Sequence, residues 1–169
     1  MTPRILVMGV AGSGKSTLSS HLAAALEVPQ IEGDDHHTPG NQEKMRQGIA
    51  LGDADRMPWL DTLGALLAHS ERGAVLACSA LKRSYRDRFR QRVPEVRFVF
   101  LDICPDLARS RVSARSTHLF PPSLVRSQFE TLEPPLNEPG VLSVDAHLSI
   151  ALQCDAVLAW LLRGSEISH

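Results

Sequence analysis

A glycine-rich segment near the start of the chain joins two regular patterns and restricts the choice of folds. Residues 9–16 read GVAGSGKS and match G-x-x-x-x-G-K-[ST] at every fixed position. The apolar run of residues 5–8 precedes this motif, and leucines recur at four-residue spacing over residues 15–26 after it. The predicted order is therefore a strand, a phosphate-binding loop and an amphipathic helix.

The residue types in this loop suit the binding of a nucleoside triphosphate. Glycines let the backbone turn so that successive N–H groups face phosphate oxygens, and the helix N-terminus adds positive potential. Lys15 is expected to reach the β- and γ-phosphates, and the Ser16 hydroxyl is expected to hold Mg²⁺. The residues predicted to contact ATP are Gly9, Ala11, Gly12, Ser13, Gly14, Lys15, Ser16 and Thr17.

The remainder of the chain alternates short apolar runs with helical patterns, which is typical of a parallel sheet covered by helices. Further strands are predicted over residues 28–32, 74–78, 96–101 and 141–144. Further helices are predicted over residues 56–72, 82–92 and 150–162. Pro105 is expected to open another helix, because proline is tolerated in the first turn. We therefore expect one α/β unit with about five strands.

Length and composition narrow the class of protein. A chain of 169 residues suits one domain, and 43% apolar residues are too many for a disordered chain. The net charge of −1 argues against a nucleic-acid binder, which would show a basic face. The three cysteines are widely spaced without a C-x-x-C pair, so neither a disulfide framework nor a zinc site is expected. The run over residues 5–8 is too short for a signal or membrane segment, and we expect a cytoplasmic protein.

Two less regular stretches are candidates for substrate and lid segments. Residues 33–55 are polar and contain glycine, and residues 113–122 end in two prolines. Ligands of open α/β sheets bind at the carboxyl ends of the strands, where loops carry function. We therefore expect a single domain over residues 1–169, with a substrate-side segment over residues 33–55 and a lid over residues 113–122.

Two carboxylates end the second predicted strand. Glu32 and Asp34 are two residues apart, so they would lie on the same face of that strand. Asp34 is the candidate for accepting the proton of the attacking hydroxyl or orienting it. Glu32 is the candidate for holding the water shell of Mg²⁺, together with Ser16. A solvated acidic turn before Asp35 is the alternative interpretation.

An arginine at a predicted helix start is a candidate for binding an acidic substrate. In residues 53–60, Asp55 could cap the helix and Pro58 would lie in its first turn. Arg56 would then project from the helix N-terminus, and its planar guanidinium can bind a carboxylate through two hydrogen bonds. A surface ion pair between Arg56 and Asp53 is the alternative.

Further basic residues follow the third and fourth predicted strands. Ser79 and Lys82 lie where hydroxyls or phosphate could be bound, and Arg86 is the one substrate candidate in an otherwise solvated helix. Arginines that arrive on a lid can neutralise charge on the transferring phosphoryl group, although a solvated helix end is the alternative. The candidates for this role are Arg109, Arg111 and Arg115.

Several stretches, taken in this order, resemble the gluconate kinase (gluconokinase) family, a relative of the shikimate and nucleoside-monophosphate kinases. They cover nearly the whole chain, and their combination is far more specific than the phosphate loop alone. The stretches are residues 8–16, Gly33-Asp34 with His37, Asn41, residues 44–45, Gly48 and Leu51, then residues 53–60, 78–82, 85–87 and 127–135.

This resemblance implies transfer of the γ-phosphoryl group of ATP to the 6-hydroxyl of D-gluconate. It also implies a doubly wound parallel sheet with helices on both faces, as in nucleoside-monophosphate kinases, a mobile lid and a homodimer. By analogy, Asp34 would face the acceptor hydroxyl and Arg56 the substrate carboxylate, with His37, Lys82, Arg86 and Gln128 as the other substrate contacts. The catalytic set would be Lys15, Asp34, Arg56 and Arg115, with Arg109 and Arg111 at the nucleotide.

The sequence also departs from that family, and rival functions stay open. Family members often carry glycine and phenylalanine around the lid histidine, whereas Thr117 and Leu119 flank His118 here. A shikimate kinase would also need a carboxylate clamp and a hydroxyl base, although residues 53–60 and 127–135 speak against it. A nucleoside-monophosphate kinase and an ATP-binding regulator without turnover are the remaining alternatives. The guanine-selecting N-K-x-D of GTPases is absent.

Overall fold

Within the residues that the structure describes, five parallel strands form one sheet at the centre of the molecule. The structure is a computed structural model, and it describes residues 2–115 and 121–166. The strands are β1 (Arg4–Met8), β2 (Gln30–Glu32), β3 (Ala74–Ala77), β4 (Arg97–Asp102) and β5 (Val141–Asp145). Their order is β2-β3-β1-β4-β5, and all neighbouring pairs are parallel. The carboxyl ends of the strands therefore lie at one edge, where open α/β sheets bind ligands.

In the described part of the chain, seven α-helices connect and cover these strands. They are α1 (Lys15–Leu26), α2 (Pro39–Arg46), α3 (Asp53–His69), α4 (Arg83–Arg92), α5 (Pro105–Ala114), α6 (Val125–Thr131) and α7 (Ile150–Glu166). Single 3₁₀ turns lie at Gly33–His36 and Pro122–Leu124. Among the residues described, no helix is long and apolar enough to cross a membrane.

The alternation of side chains along each strand divides the core into two layers. On β1, Ile5 and Val7 pack into the layer formed with α1, α5 and α7. Leu6 and Met8 point to the other face, where α3 and α4 supply the partners. Both layers are almost free of solvent, so the sheet is buried on its two faces and its central strand is apolar from Ile5 to Met8. The predicted doubly wound α/β fold is thereby confirmed.

Some predicted element bounds were wrong for identifiable reasons. The second strand begins at Gln30 rather than residue 28, because the Val28 N–H donates to the Ala23 carbonyl at the end of α1. Helix α3 begins three residues earlier than predicted, so Asp55 is its third residue rather than its cap. The Asp55 carboxylate still stabilises the helix start by accepting from the Gly52 N–H at 3.0 Å. Pro58 accordingly lies in the second turn.

The two irregular stretches contain structure that the sequence patterns did not indicate. Within residues 33–55, Thr38 caps α2 by accepting from the Asn41 N–H at 3.1 Å, and Pro39 occupies its first position. Within residues 113–122, the first two residues belong to α5 and the last begins a 3₁₀ turn. Residues 116–120, which include Thr117, His118 and Leu119, lie outside the described part of the chain.

Candidate active site

A cleft opens at the carboxyl edge of the sheet, and all four of the predicted catalytic side chains line it. We call it the acceptor cleft and define it by Lys15, Asp34, His37, Arg56, Arg115 and Gln128. These six residues come from five segments of the sequence, and the parallel sheet brings them together because those segments follow strands that end at the same edge. Ala11 and Ser79 also line the cleft.

The phosphate loop takes its shape from glycines at positions where any other residue would be strained. Gly12 has a φ of +82°, and a Cβ on it would lie 2.6 Å from the Ala108 carbonyl oxygen on α5. Gly14 has a φ of +95° and leads directly into α1. This geometry turns the N-terminus of α1 towards the mouth of the loop, as a phosphate site requires.

One backbone donor of the loop, the amide of Ala11, is already hydrogen-bonded within the protein. The Ala11 N–H donates to Oε1 of Gln128 at 3.0 Å. Gln128 lies on α6, is 9% exposed and lines the acceptor cleft. The Ala11 amide is therefore committed within the protein, and Gln128 connects the cleft to the phosphate loop through this bond.

Lys15 lies at the centre of a group of charges. Its Nζ donates to the Val10 carbonyl at 3.0 Å, which curls the side chain over the loop. Burial lowers the pKa of Lys15, while the negative charges of Asp34 and Glu32 act in the opposite direction and Arg115 adds to the lowering. The ammonium, the Asp34 carboxylate and the Arg115 guanidinium thus act on one another across one small space.

Ser16 and Glu32 form the pair predicted for the metal. Burial raises the pKa of Glu32, while the nearby Ser16 hydroxyl and the Lys15 ammonium act in the opposite direction. The oxygens of Ser16 and Glu32 fit Mg²⁺, which prefers hard oxygen ligands. Among the residues described, no group of three His, Cys, Asp or Glu side chains could hold a metal alone. Phosphate oxygens and water would therefore have to complete the coordination.

Asp34 owes its position to a close backbone approach at the end of β2. A Cβ on Gly33 would lie 2.4 Å from the Ala77 carbonyl oxygen on β3, so only glycine fits at this point. The Trp59 Nε1–H donates to the Gly33 carbonyl at 2.8 Å and fixes the turn to α3. Asp34 follows in the 3₁₀ turn and lines the cleft.

His37 forms part of the wall beside Asp34. Its ring stacks on Trp59 with centroids 4.0 Å apart and planes 15° apart, and Asn41 Nδ2 lies 3.4 Å from its Nδ1. Burial lowers the pKa of His37, and Arg56 adds to this effect while Asp34 opposes it. The ring is therefore neutral near pH 7, and with Nδ1 accepting from Asn41 it would carry its proton on Nε2.

Arg56 is held by a network that the sequence did not indicate. It is 8% exposed, its Nη1 donates to the Tyr85 hydroxyl at 3.1 Å, and its guanidinium lies 5.6 Å from the Tyr85 ring centre. The same hydroxyl donates to Asp53, which also pairs with Lys82 at 3.1 Å. Asp53 and Lys82 thus meet at the rim, while Arg56 lines the cleft. The Tyr85 hydroxyl thus lies between Arg56 and Asp53, in place of the direct surface ion pair that was the alternative interpretation.

Arg86 is corrected from a substrate contact to a buried structural residue. Its side chain is 0% exposed and makes two bonds to Glu138, of 3.0 and 2.6 Å. Its remaining donors reach the carbonyls of Ala80, Leu81 and Glu133. No donor of the guanidinium is left for a substrate. Lys82 likewise does not line the cleft, because its ammonium is paired with Asp53.

The three predicted lid arginines have different positions. Arg115 lines both the acceptor cleft and a second crevice beside Gly14 and Thr17, which we call the phosphate-loop crevice. Arg111 lines that crevice as well, and donates to the Ala146 carbonyl at 3.1 Å and to the loop carbonyls of Gly12 and Ser13 at 3.4 Å. Arg109 is instead exposed and paired with Asp106, outside both spaces.

Several residues of the site had no separate signal in the sequence. Tyr85 was visible only as part of a family-like stretch, and its hydroxyl could not be linked to Arg56, 29 residues away. Asn41 was visible in the same way, although its amide reaches both His37 and the Asp55 carbonyl. Glu138 carried no signal at all, because an isolated glutamate in a loop does not reveal a partner 52 residues away.

Comparison with known proteins agrees with this geometry. A family model described as an AAA domain matches residues 5–135. The thermosensitive gluconokinase of Escherichia coli (strain K12) is 42% identical over 163 residues, which cover 91% of this chain and 87% of that protein. The gluconokinase of Gluconobacter oxydans (strain 621H) is 42% identical over 159 residues, covering 90% of this chain and 89% of that one.

A solved structure extends the agreement to three dimensions. The crystal structure of a gluconokinase from Sinorhizobium meliloti 1021 superimposes with a TM-score of 0.89 at 43% identity, covering 99% of this chain and 98% of that one. Sequence identity at this level over nearly the full length of each chain goes beyond a shared fold. The chain belongs to the gluconokinase family.

Proposed function

We propose that this protein transfers the γ-phosphoryl group of ATP to the 6-hydroxyl of D-gluconate, giving 6-phospho-D-gluconate and ADP. The observation that carries this proposal is the acceptor cleft, in which a phosphate-loop lysine, a carboxylate and a buried arginine meet. A substrate with a hydroxyl at one end and a carboxylate at the other matches these groups. Membership of the gluconokinase family supports the choice of sugar acid.

In the proposed reaction the acceptor hydroxyl loses its proton as its oxygen bonds to the γ-phosphorus and the bond to the β-γ bridging oxygen breaks. Asp34 would receive that proton or orient the hydroxyl. Lys15 and Arg115 would stabilise the charge that spreads over the transferring group. Arg56, already oriented by Tyr85, would hold the carboxylate and so set the distance from Asp34 to the hydroxyl.

Mg²⁺ and the surrounding segments complete the proposal. Ser16 and Glu32 would hold the ion directly or through its water, and bound Mg²⁺ would neutralise charge on the β- and γ-phosphates. Residues 33–55 would form the substrate side, since Asp34 and His37 line the cleft from this segment. Residues 113–122 would act as the lid of a single kinase domain, with Arg115 at its base.

The setting of the protein is part of the same proposal. We expect it to work in the cytoplasm, because its substrates ATP and gluconate meet there during sugar-acid catabolism. We also expect a homodimer, which light scattering on the purified protein would reveal as twice the chain mass of 18.5 kDa. A monomeric mass at working concentrations would remove the dimer from the proposal without touching the reaction.

The test of the reaction is ADP release with Mg²⁺ and ATP, compared among D-gluconate, shikimate, AMP and no acceptor. We expect fast release with gluconate alone, and phosphorus NMR of the product should show a phosphate monoester on the terminal carbon. Equal release with shikimate or AMP would contradict the proposed substrate. Release with none of the acceptors would favour an ATP-binding regulator.

A further inference from the structure

A buried asparagine outside the acceptor cleft holds one edge of the His37 ring. Asn41 lies on α2, is 5% exposed and does not line the cleft. Its Nδ2 lies 2.9 Å from the Asp55 carbonyl oxygen and 3.4 Å from His37 Nδ1. One amide nitrogen thus connects the first turn of α3 to the imidazole.

The Asp55 carbonyl decides which way the Asn41 amide is turned. A carbonyl oxygen only accepts hydrogen bonds, so the amide atom that faces it is the nitrogen and not the oxygen. That nitrogen carries two hydrogens and accepts no bond, so it can only donate to His37 as well. His37 Nδ1 is therefore the acceptor in this contact, and the proton of the neutral ring belongs on Nε2.

The remaining contacts of His37 fix the ring but leave Nε2 available. Trp59 stacks on one face, and its own indole is held by donation to the Gly33 carbonyl at 2.8 Å. The hydrogen bonds of His37 use its Nδ1, its backbone N–H and its backbone carbonyl. Within the described part of the chain, Nε2 is thus left without a partner in a side chain that is 7% exposed and lines the acceptor cleft.

The cleft already contains a group that accepts a hydrogen bond from a substrate hydroxyl. Asp34 lines it beside His37, and its carboxylate is proposed to receive or orient the hydroxyl proton. A hydroxyl has one hydrogen to donate and two lone pairs that accept. A lone pair on His37 Nε2 would compete with Asp34 for that hydrogen, whereas an Nε2–H can donate to the hydroxyl oxygen at the same time.

We propose that Asn41 is a positioning residue, which holds His37 as the Nε2–H tautomer so that the ring donates a hydrogen bond to a hydroxyl oxygen of the sugar acid. This inference rests on the proposed function and gives two neighbouring side chains opposite tasks, because Asp34 accepts from the substrate and His37 donates to it. Without Asn41 both tautomers would be populated, and part of the protein would present a second acceptor in place of the donor.

The first experiment determines the tautomer by nitrogen NMR of unliganded, isotope-labelled protein at neutral pH. A ring nitrogen that carries a proton is well separated in shift from one with a free lone pair, and the signals lost in His37→Gln identify His37. We expect the proton on Nε2 in the wild type and a mixture of tautomers in Asn41→Leu. A proton on Nδ1 in the wild type, or an unchanged tautomer in folded Asn41→Leu, would overturn the proposal.

Gln42 supplies the matched control on the same helix. Its Nε2 donates to the His37 backbone carbonyl at 3.3 Å, so Gln42→Leu removes a bond to His37 without touching the ring. We expect this variant to keep the wild-type tautomer. Gluconate added without ATP should shift the Nε2–H signal of the wild type. No shift in an enzyme that turns over gluconate would overturn the proposed donation.

The second experiment measures the KM for gluconate in a cycle of variants. His37→Leu removes the donor and should raise this KM about three- to tenfold. His37→Gln should keep it within about threefold, because an amide nitrogen donates without a choice of tautomer. Asn41→Leu should raise it about threefold or more in the wild type but hardly at all in the His37→Gln background. The KM for ATP should stay unchanged throughout, which reports an intact fold.

The cycle separates positioning from a merely structural role. Equal increases for Asn41→Leu in the two backgrounds would show that Asn41 only supports the fold, and would overturn the proposal. A wild type that releases no ADP with gluconate would instead remove the proposed substrate. The tautomer in the unliganded protein is measured without any substrate, so it decides the role of Asn41 in that case too.

Discussion

At the scale of single residues, the acceptor cleft combines groups whose charges are adjusted by their neighbours. Burial alone would disfavour the ammonium of Lys15, and Asp34 and Glu32 offset part of that cost. The same carboxylate of Asp34 stands beside a neutral His37. An anionic substrate therefore meets a cleft in which three cations, Lys15, Arg56 and Arg115, face the single carboxylate of Asp34.

Replacing Asp34 tests whether it handles the acceptor proton. Asp34→Asn keeps the shape but removes the base, so we expect kcat to fall by about 10²–10⁴ while the KM for ATP changes little. The exposed neighbour Asp35 supplies the matched control, because Asp35→Asn should leave both constants within about twofold. Steady-state kinetics measure both. Normal turnover by Asp34→Asn would mean that water or another group takes the proton.

Two substitutions test Arg56, which would bind the substrate carboxylate, and Tyr85, which orients Arg56. Arg56→Lys cannot form the bidentate pair, so the KM for gluconate should rise about tenfold or more with a smaller change in kcat. Tyr85→Phe removes the hydroxyl that accepts from Arg56 at 3.1 Å, and we expect the same constant to rise about two- to tenfold. An unchanged KM in both variants would place the substrate carboxylate elsewhere.

At the scale of elements, α6 supports the phosphate loop from the side of the acceptor cleft. Its contact is the hydrogen bond from the Ala11 N–H to Gln128 Oε1 at 3.0 Å. A buried amide that loses its acceptor costs about 1–3 kcal/mol, which a loop can relieve by moving. The position of α6 and the shape of the loop are therefore linked, so a substitution in α6 that removes this bond should alter the conformation of the loop.

Gln128→Leu tests this link between α6 and the loop. The leucine fills a similar volume without an acceptor, so we expect the KM for ATP to rise about three- to tenfold with the protein still folded. Arg126→Ala on the exposed face of the same helix is the control and should leave the KM unchanged, because that side chain is 84% exposed. Equal KM values for ATP in the two variants would show that the loop keeps its shape without Gln128.

At the scale of the whole molecule, one buried ion pair joins α4 to the loop before β5. Arg86 and Glu138 are 0% and 3% exposed at their side chains, and Arg90 adds a further contact of 3.0 Å to Glu138. Burial would raise the pKa of Glu138, but the hydrogen bonds and charges of Arg86 and Arg90 outweigh it and lower that pKa. The ionised pair is therefore part of the folded state.

Glu138→Gln should destabilise the protein by about 3–5 kcal/mol at pH 7, because the Arg86 charge stays buried without a counter-charge. A carboxylate with a lowered folded-state pKa contributes stability above its unfolded pKa and loses it as the pH falls through the folded value. The difference between wild type and variant should therefore shrink below about pH 4.

Urea unfolding of wild type and Glu138→Gln, at pH 7 and at a pH below about 4, measures this difference in the free energy of unfolding. Glu130→Gln is the control, since its pair with Arg126 is 65% and 84% exposed and should contribute less than about 1 kcal/mol. A loss in Glu138→Gln no larger than in the control would show that the pair is not needed for stability. A loss that does not change with pH would instead assign it to packing.

The local patterns of the sequence determined the phosphate loop, the five strands and a parallel sheet covered by helices, and the family resemblance implied the doubly wound arrangement. These patterns can be read directly because side-chain periodicity and glycine spacing follow from backbone geometry, which acts between near neighbours. The presence of Lys15, Asp34 and Arg56 in one cleft was also predictable, since parallel strands end at a common edge.

Only the tertiary structure decided which of several similar residues does which task. Arg86 was expected to bind the substrate, but Glu138 lies 52 residues further on and takes up its guanidinium inside the protein. Arg109 and Arg111 occupy one helix, and only the second reaches the phosphate-loop crevice. The physical reason is that the burial and partner of a charged side chain depend on contacts between distant segments, which the spacing of residues along the chain does not record.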